Sequence, residues 1–96
     1  MAKAVIYYKM NFYEGTEQAV SRVSKWIKEL QTLYTVKGVF IDLSDSSTEL
    51  MELLNSRLSD IDIMFINKDI NDEFDSILIS ELSRREHFEV RLLEWT

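Results

Sequence analysis

The chain has 96 residues, a net charge of −6 and no cysteine or proline. This length fits one domain with a single core, and the lack of cysteine excludes a disulfide framework and thiol chemistry. No apolar run approaches the ~20 residues that cross a bilayer, and the N-terminus has no signal-peptide pattern. We therefore expect one cytoplasmic α/β domain over residues 1–96, without membrane contact.

The charge is unevenly distributed along the chain. Residues 1–37 carry six basic and three acidic side chains, whereas residues 38–96 carry five basic and fourteen acidic ones. An acidic domain repels the phosphate backbone of nucleic acids. We therefore do not expect this chain alone to bind DNA directly.

The first predicted elements are a strand and an amphipathic helix. Val5 to Tyr8 are apolar or aromatic without alternation, which is typical of a strand buried on both faces. Apolar residues then recur at helical spacing over 17–34, with Arg22 placed outside the stripe and Thr16 as a plausible N-cap. The predicted stripe consists of Ala19, Val20, Val23, Trp26, Ile27, Leu30, Leu33 and Tyr34.

The remainder of the chain repeats the alternation of strand and helix. The predicted elements are a strand over 36–43, a helix over 50–58, a strand over 61–66, a helix over 74–85 and a strand over 89–94. Ser46 and Glu49 have the spacing of a capping box for the second helix, and Asn71 is a candidate N-cap for the third. The pattern predicts a three-layer α/β sandwich with a mostly parallel four-stranded sheet in the order 2-1-3-4 and helices on both faces.

Three segments have features of a known family. They are Tyr7-Tyr8-Lys9-Met10-Asn11 after the first strand, Asp42 with Ser44-Asp45-Ser46-Ser47 after the second, and Met51–Leu54 followed by Asp62–Asp69. Together they resemble the N-terminal domain of the serine recombinases, the resolvase/invertase family. The resemblance implies the same α/β fold and a serine nucleophile, assisted by arginines, that attacks a DNA phosphodiester.

The residues needed for that chemistry are replaced here. Asn11 stands at the serine position and Lys9 at the neighbouring arginine, which keeps the charge but loses the bidentate fork. Thr48 or a neighbour stands where an arginine opens the second helix, and Ile70 to Glu73 replace two further arginines after Asp69. The resemblance therefore implies a domain without recombinase activity, with no catalytic residue, metal or cofactor.

Two further hypotheses concern the loops that follow the strands. Asp42, Asp45, Asp69 and Asp72 all follow predicted strands, where they could serve a metal-dependent, receiver-like site or, as is more common for aspartate, cap helices and turns. Aromatic residues in a loop can also form a contact surface, because interface cores are enriched in them. The predicted binding residues at this edge are Lys9, Asn11, Phe12, Tyr13, Asp69 and Asn71. Their expected partner is another protein or a second copy of the chain.

Overall fold

The computed structural model describes residues 1–56, 58–70 and 72–93. The elements are strand β1 (Ala2–Lys9), helix α1 (Thr16–Leu30), strand β2 (Tyr34–Asp42), helix α2 (Thr48–Leu54), a 3-10 turn (Leu58–Asp60), strand β3 (Ile63–Ile66), helix α3 (Glu73–Glu86) and strand β4 (Glu89–Leu92). Within these ranges all strands pair in parallel, in the order β2-β1-β3-β4. The predicted fold class and strand order are thereby confirmed.

Strand β1 lies in the middle of the core and is covered on both sides. Its side chains alternate between faces, as the pleat requires. Val5 and Tyr7 pack with α2 and α3, whereas Ile6 and Tyr8 pack with α1. The sheet is therefore sandwiched between α1 on one face and α2 with α3 on the other. This double burial explains why the strand is a continuous apolar run.

Helix α1 ends four residues earlier than the apolar spacing predicted. Leu33 donates its N–H to the carbonyl of Leu30 at 3.0 Å, and the hydroxyl of Thr32 donates to the carbonyl of Glu29 at 2.8 Å. These bonds close a turn, and β2 then begins at Tyr34. Leu33 lies at helical spacing from Leu30 but does not belong to the core, because it is 68% exposed.

The predicted core stripe of α1 is confirmed over its central part. Val23 and Trp26 are buried, and Ile27 and Leu30 pack against the same cluster while remaining partly exposed. Val20, which was also predicted to be on the stripe, is exposed. The buried face of α1 is therefore narrower than the sequence suggested.

The residues that cap the helices differ from those predicted. Gly15 occupies the N-cap position of α1, and Thr16 is the first helical residue. Asp72 is the N-cap of α3, where its side chain accepts a hydrogen bond from the backbone N–H of Asp75 at 2.9 Å. The predicted cap Asn71 lies outside the described residues.

The last two strands are shorter than predicted. Strand β3 begins at Ile63 rather than at residue 61, and β4 is described up to Leu92, with residue 94 outside the described residues. Helix α3 ends at Glu86 and is capped by His87, which adopts the left-handed conformation with φ of 60° and donates its N–H to the carbonyl of Ser83. This left-handed cap reverses the chain into β4.

Helices α1 and α3 are the longest described, with 15 and 14 residues. Over the part of the chain that the structure describes, no helix combines the length and apolarity needed to cross a membrane. Helix α3 nevertheless exposes Phe74 and Ile77, whose side chains are 70% and 56% accessible. These two residues lie three positions apart and form a small apolar surface on α3.

Candidate interaction site at the carboxyl edge of the sheet

A cleft of about 300 Å³ lies where β1, β2 and β3 end. In parallel α/β folds this is the edge at which ligands are bound, particularly where the strand order reverses. The cleft is lined by residues of both charges, among them Lys9, Lys68, Asp45, Asp69, Asp72 and Asp75. The structure thus brings three of the predicted binding or metal-site aspartates to one place.

Asp42, the fourth of the predicted aspartates, does not line this cleft. Its buried carboxylate accepts hydrogen bonds from the Tyr7 hydroxyl at 2.7 Å and from the backbone N–H groups of Glu49 and Leu50 at 2.9 and 3.0 Å. It therefore caps α2 from the neighbouring strand, and the predicted capping box between Ser46 and Glu49 is wrong. Burial, together with the bond to Asp42, raises the pKa of the Tyr7 phenol above its ordinary value.

Lys9 is held at the floor of the cleft. Its backbone N–H donates to Asn67 Oδ1 at 2.8 Å, and Asn67 Nδ2 returns a bond to the Lys9 carbonyl at 2.9 Å. The ammonium group donates to the carbonyl of Ser46 and lies 3.4 Å from Ser47 Oγ. Ser47 in turn donates to Asp75 Oδ2 at 3.0 Å. These contacts join β1, α2 and α3, which is a structural role for Lys9.

Asn11, at the position of the recombinase nucleophile in the resemblance, is part of a turn beside the cleft. Its side-chain oxygen accepts a hydrogen bond from Lys68 Nζ at 3.0 Å. Its carbonyl accepts from the N–H of Glu14 at 3.1 Å, which closes a turn over residues 11–14. We call residues 11–14 the aromatic turn, because its two central residues are Phe12 and Tyr13.

The two rings of the aromatic turn point into solvent. Phe12 is 92% exposed and Tyr13 is 87% exposed. Both rings therefore lie outside the core, where a partner could contact them. Two adjacent exposed aromatic residues are unusual, since such side chains are normally at least partly buried.

The aromatic turn is anchored by a buried acid that the sequence analysis did not single out. The side chain of Glu14 is fully buried. Its Oε1 accepts the backbone N–H of Asn11 at 2.9 Å, and its Oε2 accepts from Arg22 Nη1 at 2.7 Å and from the Tyr8 hydroxyl. Arg22 also donates to the Tyr8 oxygen at 3.3 Å.

The electrostatics of this cluster favour an ionised Glu14. Burial alone would raise the pKa of the carboxyl, but the hydrogen bonds from Tyr8 and Asn11 and the charge of Arg22 together lower it. Burial has the opposite consequence for its neighbour, since it raises the pKa of the Tyr8 phenol against the effect of Arg22. Glu14 is thus a carboxylate, and Tyr8 is a neutral donor to it.

A signal for this cluster was present in the sequence. Arg22 lies three residues after Ala19 and four before Trp26, both of which are buried, so it borders the buried stripe of α1, with its side chain 39% exposed. Arg22 thus lies outside the buried stripe, as predicted, and contacts Tyr8 and Glu14 from its edge.

Two predicted site residues remain, and the structure describes only one of them, Asp69. Asp69 is exposed, lines the cleft, and directly follows Lys68, which contacts Asn11. Asn71 lies outside the described residues. Lys9 and Asp69 therefore line one cleft. Asn11 is joined to that cleft through Lys68, and Phe12 and Tyr13 follow it on the adjoining turn.

The alternative of a metal-dependent, receiver-like site needs a cluster of metal-binding side chains, and the described residues do not form one. Among residues 1–56, 58–70 and 72–93, no group of three or more histidine, cysteine, aspartate or glutamate side chains is arranged to hold a metal ion. Asp42 and Asp72 are engaged as helix caps.

Comparison of the chain with protein-family models, with curated proteins and with solved structures finds no match.

Proposed function

We propose that this chain is a catalytically inactive, resolvase-like domain that acts by associating with another protein or with a second copy, and that the aromatic turn is its contact surface. The observation that carries the proposal is the inverted polarity of the turn. Its acid, Glu14, is buried, whereas its rings, Phe12 and Tyr13, are exposed. Aromatic side chains contribute strongly to binding when a partner covers them.

The way the turn is held supports a binding role. Hydrogen bonds at both of its ends, from the Asn11 N–H to Glu14 and from the Glu14 N–H to Asn11, fix the backbone that carries the rings. The ion pair with Arg22 ties the same carboxylate to α1. A fixed turn loses little conformational entropy on binding, which favours affinity.

The loss of recombinase chemistry is the second part of the proposal. Asn11 has no hydroxyl that could act as a nucleophile, and its amide oxygen accepts a hydrogen bond from Lys68. Phosphoryl transfer also needs cationic groups around the transferred phosphorus, whereas the aspartates of this cleft outnumber its lysines, Lys9 and Lys68. The proposed cellular setting is the cytoplasm, in a process linked to DNA recombination through the partner.

The catalytic part is tested by incubating the protein with supercoiled plasmid DNA and searching for a covalent protein–DNA adduct by denaturing electrophoresis. We expect no adduct, and none with Asn11→Ser, because one hydroxyl does not replace the missing charge stabilisation. An adduct formed by either protein would contradict the proposal.

The association part is tested with Phe12→Ala and Tyr13→Ala. Self-association is measured by sedimentation, and binding is measured against the proteins that co-purify with the tagged chain from its native cells. We expect each substitution to weaken association about tenfold or more, with an unchanged thermal midpoint because both rings are exposed.

Phe74→Ala is the matched control, because this aromatic residue of α3 is 70% exposed but lies outside the turn. It should leave association unchanged. Loss of association with Phe74→Ala alone would place the contact surface on α3. Loss of stability with Phe12→Ala and Tyr13→Ala, with association intact, would show that the rings have a packing role.

A further inference from the structure

We propose that the partner contacts the aromatic turn through a lysine- or arginine-bearing protein segment, with its cationic groups between the exposed rings and the acidic rim of the cleft. This inference rests on the proposed function and names the chemistry of the partner. It follows from three features of the carboxyl edge, namely the continuity of turn and cleft, the charge of the rim and the exposure of the rings.

The aromatic turn and the cleft form one continuous surface. The 3.0 Å bond between Asn11 Oδ1 and Lys68 Nζ joins the turn to a residue that lines the cleft. Asp69 follows Lys68 directly, is exposed and lines the same cleft. A segment lying across Phe12 and Tyr13 would therefore reach the acidic rim within a few residues.

The residues that line the cleft have an acidic excess, with four aspartates (Asp45, Asp69, Asp72 and Asp75) against two lysines (Lys9 and Lys68), a formal charge of −2. Both lysines keep their charge, since their ammonium groups donate to uncharged oxygens of Ser46, Ser47 and Asn11. Asp45 and Asp69 are exposed at the rim. The local field therefore attracts cations and repels anions.

Charge complementarity decides between the possible occupants. Two copies that each carry a net charge of −6 repel one another, and a nucleic acid would be repelled by the same rim. A basic segment is attracted by the rim. Its guanidinium or ammonium groups can also stack on the negative faces of the Phe12 and Tyr13 rings, while their aliphatic stems cover apolar surface.

The test is a titration of the ¹⁵N-labelled full chain, followed by amide chemical shifts. The probe is a synthetic nonapeptide of alternating arginine and glycine, and its control is the same peptide with glutamate in place of arginine. We expect the basic peptide to shift the amides of Phe12, Tyr13 and Asp69 and to lose affinity in 0.5 M salt. The acidic peptide should shift none of them.

Two charge reversals separate a defined site from general attraction. Asp69→Lys places a cation on the rim, whereas Asp60→Lys makes the same change in an exposed residue that precedes β3, at the opposite edge of the sheet. Both variants have the same net charge. We expect Asp69→Lys to weaken binding of the basic peptide about fivefold and Asp60→Lys to weaken it less than about twofold. Unchanged far-UV circular dichroism would establish that both variants fold.

Three outcomes would overturn the inference. They are equal weakening by the two charge reversals, shifts confined to other acidic surfaces, and binding of the acidic peptide to the turn. Each of these leaves the proposed function standing if Phe12→Ala and Tyr13→Ala still weaken association with the native partner. The proposed association through the aromatic turn fails if those two substitutions leave association intact, and the proposed lack of recombinase activity fails if a covalent protein–DNA adduct forms.

Discussion

Replacing Glu14 with glutamine tests whether the buried carboxylate holds the aromatic turn. The carboxylate receives donors on both oxygens, the Asn11 N–H on Oε1 and the Arg22 and Tyr8 groups on Oε2. A glutamine side chain presents one oxygen and one NH₂ group, so one oxygen position must become a donor facing a donor. The NH₂ group would face either the Asn11 N–H or the Arg22 guanidinium, and neither of these can accept a hydrogen bond.

The expected loss of unfolding free energy follows from the hydrogen bond that the substitution removes. One charge-assisted hydrogen bond contributes about 1.5–3 kcal/mol, and a buried donor left unsatisfied costs a similar amount. Because the amide can still accept on its oxygen, we expect Glu14→Gln to lower the free energy of unfolding by about 2–3 kcal/mol at pH 7. For a domain of this size this corresponds to a fall of about 10–20 °C in the thermal midpoint.

The same substitution makes the pH dependence testable. The pKa of Glu14 is lowered in the folded protein, so its contribution to stability is fully present above its unfolded pKa of ~4.3 and is lost as the pH falls through the lower, folded value. Glutamine does not titrate. The difference in unfolding free energy between Glu14→Gln and the unmodified protein should therefore shrink as the pH falls from 5 toward 2.

Urea denaturation followed by circular dichroism, from pH 7 to pH 2, measures this difference directly. Glu29→Gln is the control, because Glu29 is exposed on α1 and its replacement should change stability by less than about 0.5 kcal/mol. A Glu14→Gln protein as stable as the unmodified one at pH 7 would refute the reasoning. So would a difference that stays constant down to pH 2.

Four further predictions follow from the same structure. Leu53 is fully buried, so Leu53→Ala should cost about 2–5 kcal/mol in chemical denaturation, whereas Leu33→Ala, at a side chain that is 68% exposed, should cost less than about 0.5 kcal/mol. Asp42→Ala removes the acceptor of three hydrogen bonds and should cost about 3 kcal/mol or more, with lower helix content as a second readout. Burial raises the pKa of Tyr7, so its phenol should stay protonated in an ultraviolet titration above pH 10 and ionise only as the protein unfolds. His87→Gly should raise stability by about 0.5–1 kcal/mol in thermal melts, because His87 has a φ of 60°.

The fold could be predicted from the sequence because it depends on patterns that single segments carry. The apolar run of β1, the stripe around Val23 and Trp26 and the alternation of element types require little knowledge of the rest of the chain. The boundaries were less predictable. Leu33 fits the helical spacing, but a local turn closed by Leu30 and Thr32 ends α1 before it.

The helix caps and the site depend on contacts between residues that are far apart in the sequence. Spacing along the chain does not predict such contacts. Asp42 caps α2 although it lies several residues before the helix, because the strand end brings its carboxylate to the first free N–H groups. Lys9 looked like a remnant of a phosphate site, but the structure directs its ammonium into the loop before α2. In both cases the partner is chosen by the packing of the sheet against the helix and not by spacing along the chain.

The inverted polarity of the aromatic turn is the strongest reason to look for a partner at this edge. Complete burial of an aromatic side chain stabilises a protein by about 1.5–3 kcal/mol, and the folded chain obtains almost none of this from Phe12 or Tyr13. At the same time it buries the charge of Glu14, which it must stabilise with Tyr8 and Arg22. For stability alone, the opposite arrangement would be better, with the acid in solvent and a ring in the core. A turn that forgoes this stabilisation, and is nevertheless rigidly held at both ends, is better suited to present its rings to another molecule than to support the fold.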